Sequence, residues 1–96
     1  MVVGMCRVLL FLTEQPNSLK GKRSVINRVR QRLSSRYPVA IAEVGRQDVW
    51  QEAEIGFAVV NERESIVREM IQKILEEIER DYPVEIEEKA VDFQPF

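Results

Sequence analysis

Apolar and polar positions divide the chain into six segments, and the spacing of the apolar residues differs between them. Residues 2–13 are rich in Val, Leu and Phe, β-branched at the start and too short for a confident helix, which predicts a strand. Residues 13–18, Thr-Glu-Gln-Pro-Asn-Ser, have loop composition. Ser18 is a good N-cap. After it Leu19, Lys22 (through its aliphatic stem), Ile26, Val29 and Leu33 fall on one helical face, with Val25 beside it. Pro38 pushes Tyr37 out of the helical region, so this helix is expected to end near Arg36.

The second half repeats the scheme. Residues 39–45 predict a short strand, 45–51 a polar connection containing Trp50, and 53–60 a third strand. Asn61 is placed as the cap of a second helix, with Glu64 completing an approximate capping box. Val67, Met70, Ile71, Ile74 and Ile78 form its apolar stripe, and Pro83 ends it near Asp81. Residues 84–93 predict a last strand, with a bulge expected near Lys89-Ala90 where alternation breaks. The order β-α-β-β-α-β predicts an α+β, ferredoxin-like split β-α-β fold over residues 1–96 as a single domain. Its four-stranded antiparallel sheet has strand order 4-1-3-2 and both helices on one face.

Strands one and three are apolar on both parities, but two helices cover only one face. The small residues Gly56 and Ala58 suit close helix approach, so that parity is expected inward. Leu9, Phe11, Ile55, Phe57 and Val59 then form an apolar patch on the helix-free face, the expected seat of a homodimer.

Charge changes the picture more than length does. The 96 residues carry a net charge of −2, yet residues 1–50 hold nine basic and three acidic residues (+6), and residues 51–96 hold five and thirteen (−8). Residues 18–37 contain Lys20, Lys22, Arg23, Arg28, Arg30, Arg32 and Arg36 and no acid. Three of these cations crowd the helix N-terminus, against the helix dipole, and Gly21 adds a helix penalty of about 1 kcal/mol. Lys20, Lys22, Arg23, Arg28 and Arg30 are therefore candidates for binding phosphates. The alternative is that the basic helix faces the acidic second half. The loop residues Arg46, Gln47, Asp48 and Trp50 are candidates for partner contact; alternatively Trp50 lids the core edge.

The chain has no histidine and one cysteine. That removes His-dependent triads, His-containing zinc sites and an internal disulfide. Cys6 reads as a small buried apolar residue, and Glu43 and Arg7 are placed facing each other across the sheet. The ion pairs Glu64–Arg68, Glu69–Lys73 and Glu76–Arg80 mark a solvated helix face. Glu85, Glu87, Glu88 and Asp92 read as guards on an edge strand. No cofactor, metal site or catalytic residue is expected, and no apolar run is long enough for a signal peptide or membrane helix, so a cytoplasmic location is expected.

Met1-Val2-Val3-Gly4 with Cys6-Arg7-Val8, Ser18-Leu19-Lys20 with Lys22-Arg23, and Ala42-Glu43-Val44-Gly45 with Gln47-Asp48 and Trp50-Gln51 resemble the YlxP-like family of small uncharacterised bacterial proteins. The resemblance covers nearly the whole chain. It implies a ferredoxin-like fold and, because the family's genes often lie near translation genes, an RNA-related role. The chain departs from it at Gly21, where the family is usually acidic, and at Arg46, often histidine there. Separately, Gly56-Phe57-Ala58-Val59-Val60 loosely resembles the third strand of an RNA-recognition motif, which would put Phe11 and Phe57 on the open face for stacking bases. The functional expectation is a non-enzymatic module binding RNA or a ribonucleoprotein. The alternative is a homo-oligomeric interaction or small-ligand domain using the helix-free face.

Overall fold

The computed structural model describes residues 1–14 and 18–96. The expected loop over 13–18 therefore lies in part outside the described residues. Six elements follow one another: β1 (Val2–Leu12), α1 (Leu19–Arg36), β2 (Val39–Gly45), β3 (Glu52–Asn61), α2 (Glu64–Asp81) and β4 (Val84–Pro95). The strands form one antiparallel sheet in the order β2-β3-β1-β4, and both helices cover the same face. This is the ferredoxin-like arrangement predicted from the pattern.

Local chemistry sets the helix ends. Ser18 caps α1, its Oγ accepting from the Gly21 amide at 3.2 Å. Tyr37 and Tyr82 are extended residues closing α1 and α2, each held there by the proline that follows. The start of α2 differs from expectation. Its N-cap is Arg63, without a side-chain cap, while Asn61 accepts from the Arg63 amide in the preceding turn. The β4 bulge also sits earlier than expected. Leu9 pairs with Glu88 and Leu10 with Ile86, so Glu87 is the extra residue.

The core lies between the sheet and the helices. Cys6, Val8 and Leu10 of β1 lie opposite Phe57, Ile55 and Ala53 of β3, and all six are buried. Ile26, Val29 and Leu33 of α1 and Val67, Ile71, Ile74 and Ile78 of α2 close over them. Each such aliphatic side chain contributes about 1.5–3 kcal/mol by leaving water.

This register overturns the expected parity of β3. Ile55, Phe57 and Val59 point at the helices, and Gly56, Ala58 and Val60 at the open face. Ile55 and Phe57 are therefore no part of an open-face oligomer patch. The small residue that admits a helix is Gly4 on β1. A methyl group there would clash with Val67 Cγ1 and Ile71 Cδ1. The glycine rule was sound, but another strand satisfies it.

Candidate nucleic-acid interface

The seven cations of α1 separate into three fates. Lys22 is 1% exposed. Its stem lies in the core stripe, and its Nζ donates to the carbonyls of Arg46 (2.5 Å) and Val49 (2.7 Å). The same ammonium lies 3.1 Å from Glu43 Oε2. That oxygen is buried without an aligned hydrogen bond, so the contact is an ion pair. Lys22 thus cannot present its charge to a phosphate, which corrects its place in the expected binding set. It ties the β2–β3 connection to the first turns of α1.

Arg32 and Arg36 turn toward the acidic second helix. Arg36 Nη1 lies 2.9 Å from Glu77 Oε1 and 3.9 Å from Asp81 Oδ2. Arg32 stands 5.8 Å from the centroid of the Tyr82 ring. The Glu77 hydrogen bond and charge raise the Arg36 pKa, and a hydrogen bond from Arg80 lowers that of Asp81. Part of the charge split is therefore satisfied inside the fold.

Lys20, Arg23, Arg28 and Arg30 are exposed and form no ion pair among the described residues. At 100° per residue, Lys20 and Arg28 lie on the outward side of α1, opposite Val29 and Leu33, while Arg23 falls about 20° from Arg30. Arg30 lies on the flank over β2, where it lines a groove with Ile41.

The connection after β2 is a shaped loop. Arg46 adopts a left-handed backbone, φ 60°, and the Val49 amide donates to its carbonyl at 3.1 Å. With both carbonyls also held by Lys22, Arg46, Gln47, Asp48 and Trp50 are all displayed to solvent. Trp50 is 50% exposed and is no lid on the core. Through Lys22 this loop sits at the N-terminal end of α1, beside the turn carrying Lys20 and Arg23.

The open sheet face has a different character. Leu9 and Phe11 lie there, half-buried, among Glu52, Glu54 and Glu85. Arg7 pairs with Glu54 at 3.5 Å and not with Glu43, which is on the opposite face beneath α1. A shallow cavity of about 510 Å³ spans Met5, Arg7, Val44, Glu54, Gly56, Ala90 and Asp92. Phe57 points away from this face, so Phe11 and Phe57 do not form a base-stacking pair. Cys6 also points inward, and burial pushes its thiol up to about 11, with Lys89 lowering it slightly.

Sequence reasoning missed two features. The expected α1 stripe included the Lys22 stem but not the fate of its ammonium, which is buried against polar partners. Glu77 likewise sits one turn after Ile74 on the apolar face of α2 and is buried, one carboxylate oxygen bonded by Arg36 and the other without a partner.

A family model described as a protein of unknown function, DUF503, matches residues 3–90. The uncharacterized protein YlxP of Bacillus subtilis (strain 168) is 36% identical over 58 residues, which span 60% of this chain and 63% of that protein.

Proposed function

The chain belongs to the DUF503 family, whose function is unknown, and for this member we propose a non-enzymatic, cytoplasmic module that binds the phosphate backbone of RNA through the exposed cations of α1. One observation carries this: α1 contains no acidic residue, and Lys20, Arg23 and Arg28 remain exposed and unpaired among the described residues after internal pairing has consumed Lys22, Arg32 and Arg36. The neighbouring loop supplies Arg46, Gln47 and Trp50 in a conformation pinned from beneath by Lys22. Phosphate contacts position a nucleic acid, and an exposed aromatic offers a stacking surface for an unpaired base. A binding role is favoured over catalysis because the chain has no histidine and its one thiol is buried and hard to ionise.

The test is fluorescence anisotropy with a labelled RNA hairpin at two salt concentrations. Three phosphate contacts predict that affinity falls about 40-fold between 50 and 200 mM salt. The triple variant Lys20→Glu/Arg23→Glu/Arg28→Glu is expected to abolish most binding while leaving the fold intact. Unchanged affinity in that variant would remove RNA from consideration.

A second reading has its own support. Met5, Leu9, Phe11, Val44 and Val60 leave apolar surface on the helix-free face, which suits association with a second copy. Sedimentation equilibrium of Phe11→Asp against the parent protein tests it. A parent that is monomeric at high concentration rules this reading out.

A further inference from the structure

The two edges of the sheet are protected very differently. A strand edge presents unpaired backbone groups that accept another strand unless charge, bulges or cover prevent it. The β4 edge has such protection, with Glu85, Glu88 and Asp92 along it and a bulge at Glu87. The β2 edge, Val39–Gly45, has less, a single irregularity at Val44 near its end. Its one ionisable side chain, Glu43, turns inward to Lys22, and its pairing with β3 is regular from Val39 to Glu43.

Beside this edge lies a groove of about 470 Å³ between α1 and β2. Ile41 forms its apolar floor, Asn27, Gln31, Ser34 and Ser35 supply neutral polar groups, and Arg30 is its one charged side chain. Successive residues of a strand project to opposite faces. A strand added to β2 would therefore send every second side chain into this groove, against Arg30.

We propose that the β2 edge and this groove bind an extended acidic peptide, which extends the sheet by one strand and turns its carboxylates toward Arg30. Backbone pairing supplies affinity and the groove supplies side-chain selectivity, as in other cases of strand addition. Charge decides the occupant. A second copy paired β2 to β2 would bring its own Arg30 and an acid-free α1 alongside the first, a like-charge arrangement. An acidic strand neutralises Arg30. None of Lys20, Arg23 and Arg28 lines the groove, so it has residues of its own, although Arg23 lies two turns before Arg30 on the same flank.

The probe is a fluorescein-labelled peptide of eight residues alternating Glu and Val, with a Lys/Val peptide as its charge-reversed counterpart, measured by anisotropy at 150 mM salt. The Glu/Val peptide is expected to bind and the Lys/Val peptide to bind at least tenfold more weakly. Arg30→Glu is expected to weaken the Glu/Val peptide at least tenfold, and Lys20→Glu/Arg28→Glu less than twofold. Hydrogen exchange should slow at β2 amides on binding. Equal binding of both peptides, insensitivity to Arg30→Glu, or unprotected β2 amides would overturn the proposal. So would β2 amides already protected in a dimer of the free protein, or displacement of the peptide by a single-stranded oligoribonucleotide. Because the RNA test uses different residues, either idea can fail alone.

Discussion

Replacing Lys22 by Met removes an ammonium while keeping an unbranched stem in the core. The structure shows what loses its partner: the carbonyls of Arg46 and Val49, at 2.5 and 2.7 Å, and the Glu43 carboxylate at 3.1 Å. A hydrogen bond to a charged group is worth about 1.5–3 kcal/mol, and breaking a buried ion pair by removing one partner costs about 3–5 kcal/mol. These contributions overlap, and the loop carbonyls reach water when released, because Arg46 and Val49 are exposed. The expected loss is therefore about 2–4 kcal/mol, or roughly 10–25 °C in melting temperature for a domain of this size. Urea denaturation followed by circular dichroism measures it. Lys22→Met/Glu43→Gln is expected to recover at least about 1 kcal/mol relative to the sum of the single changes, since the two groups are in contact. Hydrogen exchange should accelerate at amides 47–50 while the α2 amides remain slow. A loss below about 0.5 kcal/mol, or additive effects of the two substitutions, would refute the view that Lys22 is a structural pin.

Other consequences are independent of that pin. Gly4→Ala places a methyl group against Val67 and Ile71 and is expected to cost about 1–3 kcal/mol in chemical denaturation. Trp50, half exposed, is expected to show red-shifted emission readily quenched by acrylamide; blue, protected emission would contradict its placement. The Cys6 thiol, with a pKa near 11, is expected to resist Ellman's reagent at pH 8 in the native protein and react at once in urea. Its folded pKa lies above the usual 9.0, so the stability it contributes is complete below pH 9 and declines as pH rises toward 11. For Asp81 the sign is opposite, because the Arg80 hydrogen bond lowers its pKa below 3.8. Its contribution is present above that value and lost on further acidification, and Arg80→Ala should raise the carboxyl pKa in an NMR titration.

Much of the architecture was legible along the chain because local physics specifies it. Ser18, Pro38 and Pro83 mark helix ends through hydrogen bonding and backbone sterics. The 3.6-residue stripes at 19–33 and 67–78 and the short apolar runs between them allow few other element orders. The fold needed no partner information.

The side-chain roles were harder to read, for a physical reason visible in β3. Ile55-Gly56-Phe57-Ala58-Val59-Val60 is apolar on both parities, so alternation cannot say which side is covered. Pairing of Cys6 with Phe57 and Val8 with Ile55 decides it, and that register belongs to the whole sheet. The cations behave similarly. Sequence established that α1 is basic and the second half acidic. Only the tertiary structure sorted the charges, burying Lys22 beneath the β2–β3 loop, turning Arg36 to Glu77, and leaving Lys20, Arg23 and Arg28 facing solvent. A charge's use depends on what lies within a few ångströms of it, and those neighbours come from elements far along the chain, as Glu77 is from Arg36.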